Sequence, residues 1–378
     1  MNISVIGGGP AGLYFAILMK KYSPDAEIVV YERNGRNDTF GWGVVFSGKT
    51  MEGLREQDEP SYARILQTFV TWDNVDVVHD NEKITIYGNS FSGISRLVML
   101  NILQDRAEEL GIVLRFNTEI ADLESQQDAD LVIVADGANS FIRRKYAAHF
   151  KPDISPRTNK YIWYGTHELF EGLTLAFRQN EHGVFAAHSY KFSKDTSTFV
   201  VECDEETWRN AGLDKADEDT SRIYVEKVFE NDLSGNPLLS NRSLWINFLL
   251  VKNEHWIYKN AVILGDACHT AHFSIGSGTK LALEDSIALF ECLKKEPDID
   301  RALALYETTR KPGVEEYQEA AEKSLYLFEH LEDIIDLPPM EMAYRMMTRS
   351  ARVTHEKLKQ RDPEFVKRYD AWRAGNRL

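Results

Sequence analysis

Three cysteines in 378 residues, Cys203, Cys268 and Cys292, are too few and too scattered for a disulfide framework or a thiolate metal centre. No metal is expected, and such sparse cysteine usage suits a cytoplasmic protein. Long apolar runs are missing too: nothing approaches the roughly 20 residues that a helix needs to cross a bilayer, so no membrane partner is expected. The first apolar strand opens at Ile3, so no targeting peptide is expected ahead of it. Positive charge is in deficit. The formal net charge is −15, the wrong footprint for nucleic acid. One segment departs from this: from Arg345 onward ten basic residues face four acids, an island suited to a small polyanion. Nothing in the sequence fixes an oligomeric state.

What is present begins at once. Ile3-Ser4-Val5-Ile6 reads as a buried parallel strand, followed by Gly7-Gly8-Gly9-Pro10-Ala11-Gly12, a helix to about Tyr22, and a second strand, Ile28–Tyr31, ending on Glu32. This is a dinucleotide-binding βαβ unit: Gly7 for the turn, Gly9 for approach of a pyrophosphate, Gly12 for close helix packing, and Glu32 for a ribose. The helix start, with Pro10 and Ala11, aims free N–H groups at the phosphates.

Further along, Thr39–Ser47 is an aromatic loop broken by glycines, the kind that packs on a flat ligand. Arg96 opens a helix to about Leu110. From Asn159 to Cys203 the period changes to two, predicting an antiparallel meander, and helices dominate from Lys280. The expected fold class is α/β, a Rossmann-like domain with an inserted, mainly antiparallel sheet and a helical C-terminal region. The boundaries expected are 1–70, 92–158 and 255–295 for the first domain, 71–91 and 159–254 for the sheet domain, and 296–378 for the helical region.

Two more motifs follow strands: Asp136-Gly137-Ala138-Asn139-Ser140-Phe141-Ile142-Arg143, and Gly265-Asp266-Ala267-Cys268-His269 with Gly276-Ser277-Gly278-Thr279 behind it. With the N-terminal fingerprint and Arg96, the chain resembles the class A flavoprotein aromatic hydroxylases from Ile3 to about Leu293. The resemblance implies FAD, NADH or NADPH as reductant, and O2 as co-substrate. It also implies oxygen transfer from a flavin C4a-hydroperoxide to an electron-rich ring. Residues implied or read as cofactor-binding are Gly7, Gly9, Pro10, Ala11, Gly12, Glu32, Arg33, Gly43, Val44, Val45, Arg96, Asp136, Asp266, Gly276, Ser277, Gly278 and Thr279.

Where that family usually has proline, this chain has His272-Phe273-Ser274-Ile275-Gly276. That change, Gly41–Ser47 and Asn159–Thr166 are similar to a subgroup holding the salicylyl-CoA and 2-aminobenzoyl-CoA hydroxylases and the violacein-pathway tryptophan hydroxylase. Thr348–Leu358, inside the basic island, is similar to the aryl-CoA members. The expected substrate is therefore a small aromatic compound, an aryl-CoA thioester such as salicylyl-CoA hydroxylated at position 5, with free tryptophan as the alternative. A flavin reductase and a non-enzymatic FAD-binding protein are the remaining readings. Phe46, Trp163 and Tyr164 are expected as pocket walls, Arg349 and Arg352 as phosphate contacts, and His167 and His188 as the histidines able to orient or deprotonate a phenol.

Overall fold

The computed structural model describes residues 1–276 and 278–376, apart from the side chains of residues 47–49. A six-stranded sheet runs in the order Ile257–Tyr258, Ala261–Ile263, Leu131–Val134, Asn2–Ile6, Glu27–Tyr31, Val113–Arg115. Its neighbours are parallel except at the Ile257–Tyr258 edge. A parallel sheet is covered on both faces, which is why Leu131–Val134 and Ala261–Ile263 are unbroken apolar runs, buried at every position. The Pro10–Tyr22 helix packs on this sheet between helices Arg96–Glu109 and Gly278–Lys295. Pro10 falls in its first turn, where a missing N–H costs nothing, and Lys20 and Lys21 end it where cations suit the dipole.

The larger sheet is ordered Leu238–Leu239, Pro152–Thr166, Ser197–Cys203, Gly183–Lys191, Leu173–Asn180, Val75–His79, Glu82–Ile86, with Ile246–Asn253 also paired to Pro152–Thr166. It is mainly antiparallel. The Pro152–Thr166 strand begins ahead of the expected position 159, because its first half pairs with Ile246–Asn253 before the register shifts between Pro156 and Lys160. A three-stranded sheet of Gly43–Ser47, Phe91–Ser95 and Val70–Trp72 lies at the junction.

Period-two alternation gives the larger sheet two distinct faces. One carries Ile162, Tyr164, Phe185, Phe199 and Val201 into a core with Val225, Phe229 and Leu233. The other is shared. Towards Val75–His79 it buries Val75, Val77, Leu175 and Phe177 beneath Met342, Met346 and Phe365 of the C-terminal helices. Each such side chain contributes about 1.5–3 kcal/mol by leaving water. Towards Pro152–Thr166 the same face turns to the glycine-rich motifs. Among the described residues no helix is long and apolar enough to cross a membrane.

Candidate active site

The first turn after Asn2–Ile6 has little room. Gly7 has φ +109°, and a β-carbon there would sit 2.2 Å from the Ala135 carbonyl oxygen. One on Gly12 would sit 2.2 Å from the Gly7 oxygen and 2.9 Å from Val5. Gly9 is the opposite case: a β-carbon there would meet nothing within 4 Å. The helix beginning at Pro10 has no side-chain cap, so its first N–H groups look onto that open space. Glu32 stands beside the turn. Its Oε2 accepts from the Gly8 N–H at 2.8 Å, and Oε1 from the N–H and Nδ2 of Asn34 at 2.8 and 2.7 Å. Arg33 is exposed alongside.

Asp266 touches open space although it lies deep in the molecule, so burial raises its carboxyl pKa while Arg96 and His269 oppose the shift. Burial lowers the Arg96 pKa, and its Nε donates to Thr39 Oγ1 at 3.2 Å. The aim of Asp266 is set from behind by fully buried Asp285. That carboxylate accepts from the Gly265 N–H at 3.0 Å, from His269 Nε2 at 2.7 Å and from Arg310 Nε at 2.8 Å. Burial pushes the Asp285 pKa up, but His269 and Arg310 outweigh it and hold it low.

Asp136 is occupied differently. Its Oδ2 accepts the N–H groups of Phe141 at 2.9 Å and Ile142 at 3.3 Å, at the start of the Phe141–Lys145 helix. Arg143, almost fully buried, donates to the Ala267 oxygen at 2.8 Å and the Ala138 oxygen at 2.5 Å. The two distant motifs are thereby clipped together. Gly276, at φ +60°, and Gly278 and Thr279 stand at the start of the Gly278–Lys295 helix; Ser277 lies outside the described residues. An uncapped helix start with clear space, a carboxylate at the second strand's end and a deep carboxylate facing Arg96 fit the pyrophosphate, the adenosine ribose and the ribityl chain of FAD.

The larger sheet closes on these motifs. The Gly43 N–H donates to Thr198 Oγ1 at 2.9 Å, and Tyr190 donates back to the Gly43 oxygen at 2.9 Å. Trp163 packs on Gly41 and Trp42 packs on Gly165, so the aromatic loop lies on the sheet. Tyr161 is near enough to Asp266 that burial, aided by that charge, pushes its phenol up to about 12. Its ring stands 4.8 Å from Phe273, which also meets His188 edge-on at 5.3 Å and Phe248 at 6.4 Å. On this face His188 Nε2 lies 2.6 Å from Glu202 Oε1, and Glu202 has no exposed surface. Burial opposes the Glu202 charge, but the hydrogen bond from His188 leads the groups that outweigh it and hold the pKa low. Among the described residues nothing bonds His188 Nδ1.

Four expectations are corrected. Tyr164 follows Trp163 on one strand, so the alternation turns it to the opposite face, fully buried in the helix-covered core. Phe46 shares the inward side with Val44, against Phe69 in the first domain's core, which leaves Val45 as the half-exposed neighbour. His167 lies beyond the strand end, exposed, with Nδ1 2.9 Å from the Asp195 oxygen. Arg349 turns inward instead of out to phosphate: it donates to Ser324 Oγ at 2.9 Å, to the Ser274 oxygen at 2.5 Å and to the Met346 oxygen. Arg352 is half-buried, its guanidinium 3.8 Å from the Tyr317 ring centroid and its buried Nη1 without a partner among the described residues. The reading of the sequence missed Glu202. Its signal was a lone carboxylate inside the apolar run Phe199-Val200-Val201-Glu202.

Comparison with known proteins adds to this geometry. The family described as FAD binding domain matches residues 1–321. Salicyloyl-CoA 5-hydroxylase of a Streptomyces species is 40% identical, over 98% of this chain and 74% of that protein. Protodeoxyviolaceinate monooxygenase of Chromobacterium violaceum is 35% identical over 90% of this chain and 92% of its own length. The 3-hydroxy-4-methyl-anthranilyl-(aryl-carrier protein) 5-monooxygenase of Streptosporangium sibiricum is 36% identical with the same coverage, 90% and 92%. Among solved structures, 2-methyl-3-hydroxypyridine-5-carboxylic acid oxygenase shares the fold, with a TM-score of 0.72 and 17% identity over 95% of this chain and 96% of that one.

Proposed function

The chain belongs to the FAD-binding domain family and is an FAD-dependent aromatic monooxygenase, and we propose that its substrate is an aryl thioester bearing a ring hydroxyl ortho to the carbonyl, as in salicylyl-CoA, hydroxylated para to that hydroxyl. Bound FAD supplies the two-electron chemistry, taking reducing equivalents from NAD(P)H and activating O2. The chain's own residues bind, orient and manage protons. Gly9 and the helix start beyond it take the pyrophosphate, Glu32 the adenosine ribose, and Asp266 with Arg96 the ribityl chain. Tyr161, Trp163, Phe248 and Phe273 wall the ring's site and exclude water.

The observation that carries this reading is the His188 imidazole on that wall, held from behind by the buried Glu202 carboxylate. Electrophilic oxygen transfer is fastest on a phenolate. His188, with its Nε2 proton engaged by Glu202, presents Nδ1 to take the proton of the ring hydroxyl. Arg352 is retained as a contact for the carrier's phosphates, since its half-buried guanidinium holds an Nη1 with no partner among the described residues. Two relatives support a carrier-borne arene: one is named as the 5-hydroxylase of a CoA ester, the other as the 5-monooxygenase of a ring on an aryl-carrier protein.

The test is turnover under isotope-labelled O2 with salicylyl-CoA, free salicylate and tryptophan side by side, read by product mass. Label should enter the thioester alone. Label in tryptophan or free salicylate with none in the thioester would overturn the substrate assignment. Cofactor oxidation with label in no product would instead indicate a reductase.

A further inference from the structure

His272 is an imidazole with one nitrogen engaged and the other idle. It caps the short turn Phe273–Ile275: the Ser274 N–H points to its Nδ1 at 3.4 Å, and Ser274 Oγ lies 2.9 Å from the same atom. A backbone N–H can only donate, so Nδ1 is an acceptor and the proton of the neutral ring sits on Nε2. Burial brings the His272 pKa down to about 4, which keeps the ring neutral at neutral pH. Its Nε2–H is left without an acceptor. Glu202 Oε2 stands 3.9 Å away, beyond hydrogen-bond reach, and among the described residues nothing else accepts from it. His272 is only 2% exposed, and an unmet N–H at that depth is costly until something accepts from it.

This idle donor borders the ring's site. The His272 ring lies 4.0 Å from Phe273 and edge-on to Phe248 at 5.0 Å, two of the residues that wall it. His188 meets the same Phe273 ring edge-on at 5.3 Å, and the same carboxylate through its other oxygen, Glu202 Oε1, at 2.6 Å. The Glu202 pKa is held low, so its carboxylate takes the Nε2 proton of His188 and leaves a lone pair on Nδ1. An acceptor and a donor thus share one carboxylate and one phenyl ring.

We propose that His272 is a specificity-determining contact whose Nε2–H donates to the thioester carbonyl oxygen, while His188 Nδ1 accepts from the ortho hydroxyl. The inference rests on the aryl thioester reading with His188 as base, and adds why the hydroxyl stands ortho to the carbonyl. In water the ortho hydroxyl of such a thioester donates to its own carbonyl, and that internal bond resists loss of the phenol proton. The two imidazoles replace it with two bonds to protein. The hydroxyl turns to the base, and the carbonyl keeps a donor.

The test measures binding to the FAD-loaded protein without NAD(P)H, by the change in flavin absorbance on titration with two ligands. One is salicylyl-CoA. The other is the thioether S-(2-hydroxybenzyl)-CoA, which keeps the ring hydroxyl and the carrier but lacks the carbonyl oxygen. The parent should bind the thioester roughly tenfold more tightly, the scale of one hydrogen bond to a donor otherwise buried and unmet. His272→Asn keeps an acceptor for the Ser274 N–H and removes the Nε2 donor, so its preference should fall to about twofold or less. His272→Gln carries an amide N–H towards the Nε2 position and should recover most of the preference. Comparing variants cancels what the two ligands differ by in water. Equal affinity of the parent for both ligands would overturn the proposal whatever the variants do, as would a preference unchanged in His272→Asn. Failure of the underlying reading would look different. A parent that binds salicylyl-CoA no more tightly than free CoA has no place for the ring, and both inferences fall. If the preference follows His272 as described but His188→Asn hydroxylates at the parent rate, His272 keeps its contact and His188 is not the base.

Discussion

Two neighbouring glycine replacements should separate cofactor binding from folding. At Gly9 an added methyl meets nothing within 4 Å, and φ is −80°, a value open to any residue. Alanine at this helix-capping position costs about 1 kcal/mol, while the stiffer unfolded chain returns about 0.4–1 kcal/mol. The net change is close to zero, and the melting temperature of the flavin-free protein should stay within about 2 °C of the parent. The methyl nevertheless fills the space through which a pyrophosphate must approach the first helical N–H groups. Losing one charge-assisted hydrogen bond of about 1.5–3 kcal/mol weakens FAD binding roughly 10- to 150-fold. At Gly12 the same methyl lies 2.2 Å from the Gly7 oxygen and 2.9 Å from a Val5 methyl carbon. Strand and helix must separate, at a cost of at least about 1–3 kcal/mol, so folding and flavin should be lost together. Titrating apo-protein with FAD by fluorescence quenching, beside a thermal melt, gives both readouts. A Gly9→Ala protein that binds FAD as tightly as the parent would remove the phosphate from that helix start.

Tyr164→Phe should leave turnover unchanged and stability equal or about 1 kcal/mol higher, because its buried hydroxyl has no hydrogen-bond partner among the described residues; a loss of hydroxylation would return it to the site. The protein should also be acid-labile in a definite window. Unfolded histidine takes its proton near pH 6.5 and folded His272 only near pH 4, so between these values the unfolded chain binds more protons and stability falls with falling pH. The span corresponds to about 3 kcal/mol for this group. The low Glu202 pKa adds to the loss in the same direction below the usual glutamate value. Urea melts across this range should show the decline, and His272→Asn should flatten its upper part.

The outline of the fold was legible in the sequence because the first domain announces itself locally. A strand, a glycine turn, a helix and an acid in register make one unit within about 30 residues, and the buried runs Leu131–Val134 and Ala261–Ile263 read as parallel strands unaided. The site on the larger sheet was less legible, for a reason visible at Trp163 and Tyr164. Adjacent residues of a strand point to opposite faces, so the choice between them needs the register against Val200 and Phe199 on the partner strand, which composition does not carry. Phe46 failed the same test beside Val45. Arg349 failed for another reason: positive charge is a property of a segment, but the direction of a guanidinium depends on which carbonyls lie unpaired nearby. Here those carbonyls belong to Ser274 and Met346, the first of them 75 residues away in the chain. A basic island therefore conceals a residue that works inside the protein, and Arg352, three positions on, is the better guide to where an anionic carrier would lie. Arg352→Ala should accordingly raise the KM for salicylyl-CoA several-fold with stability unchanged, whereas Arg349→Met, which strips the Ser324 hydroxyl and the Ser274 and Met346 carbonyls of their donor, should lower stability by about 1–3 kcal/mol at little change in that KM. If the two variants exchanged these effects, the inward and outward assignments would both be wrong.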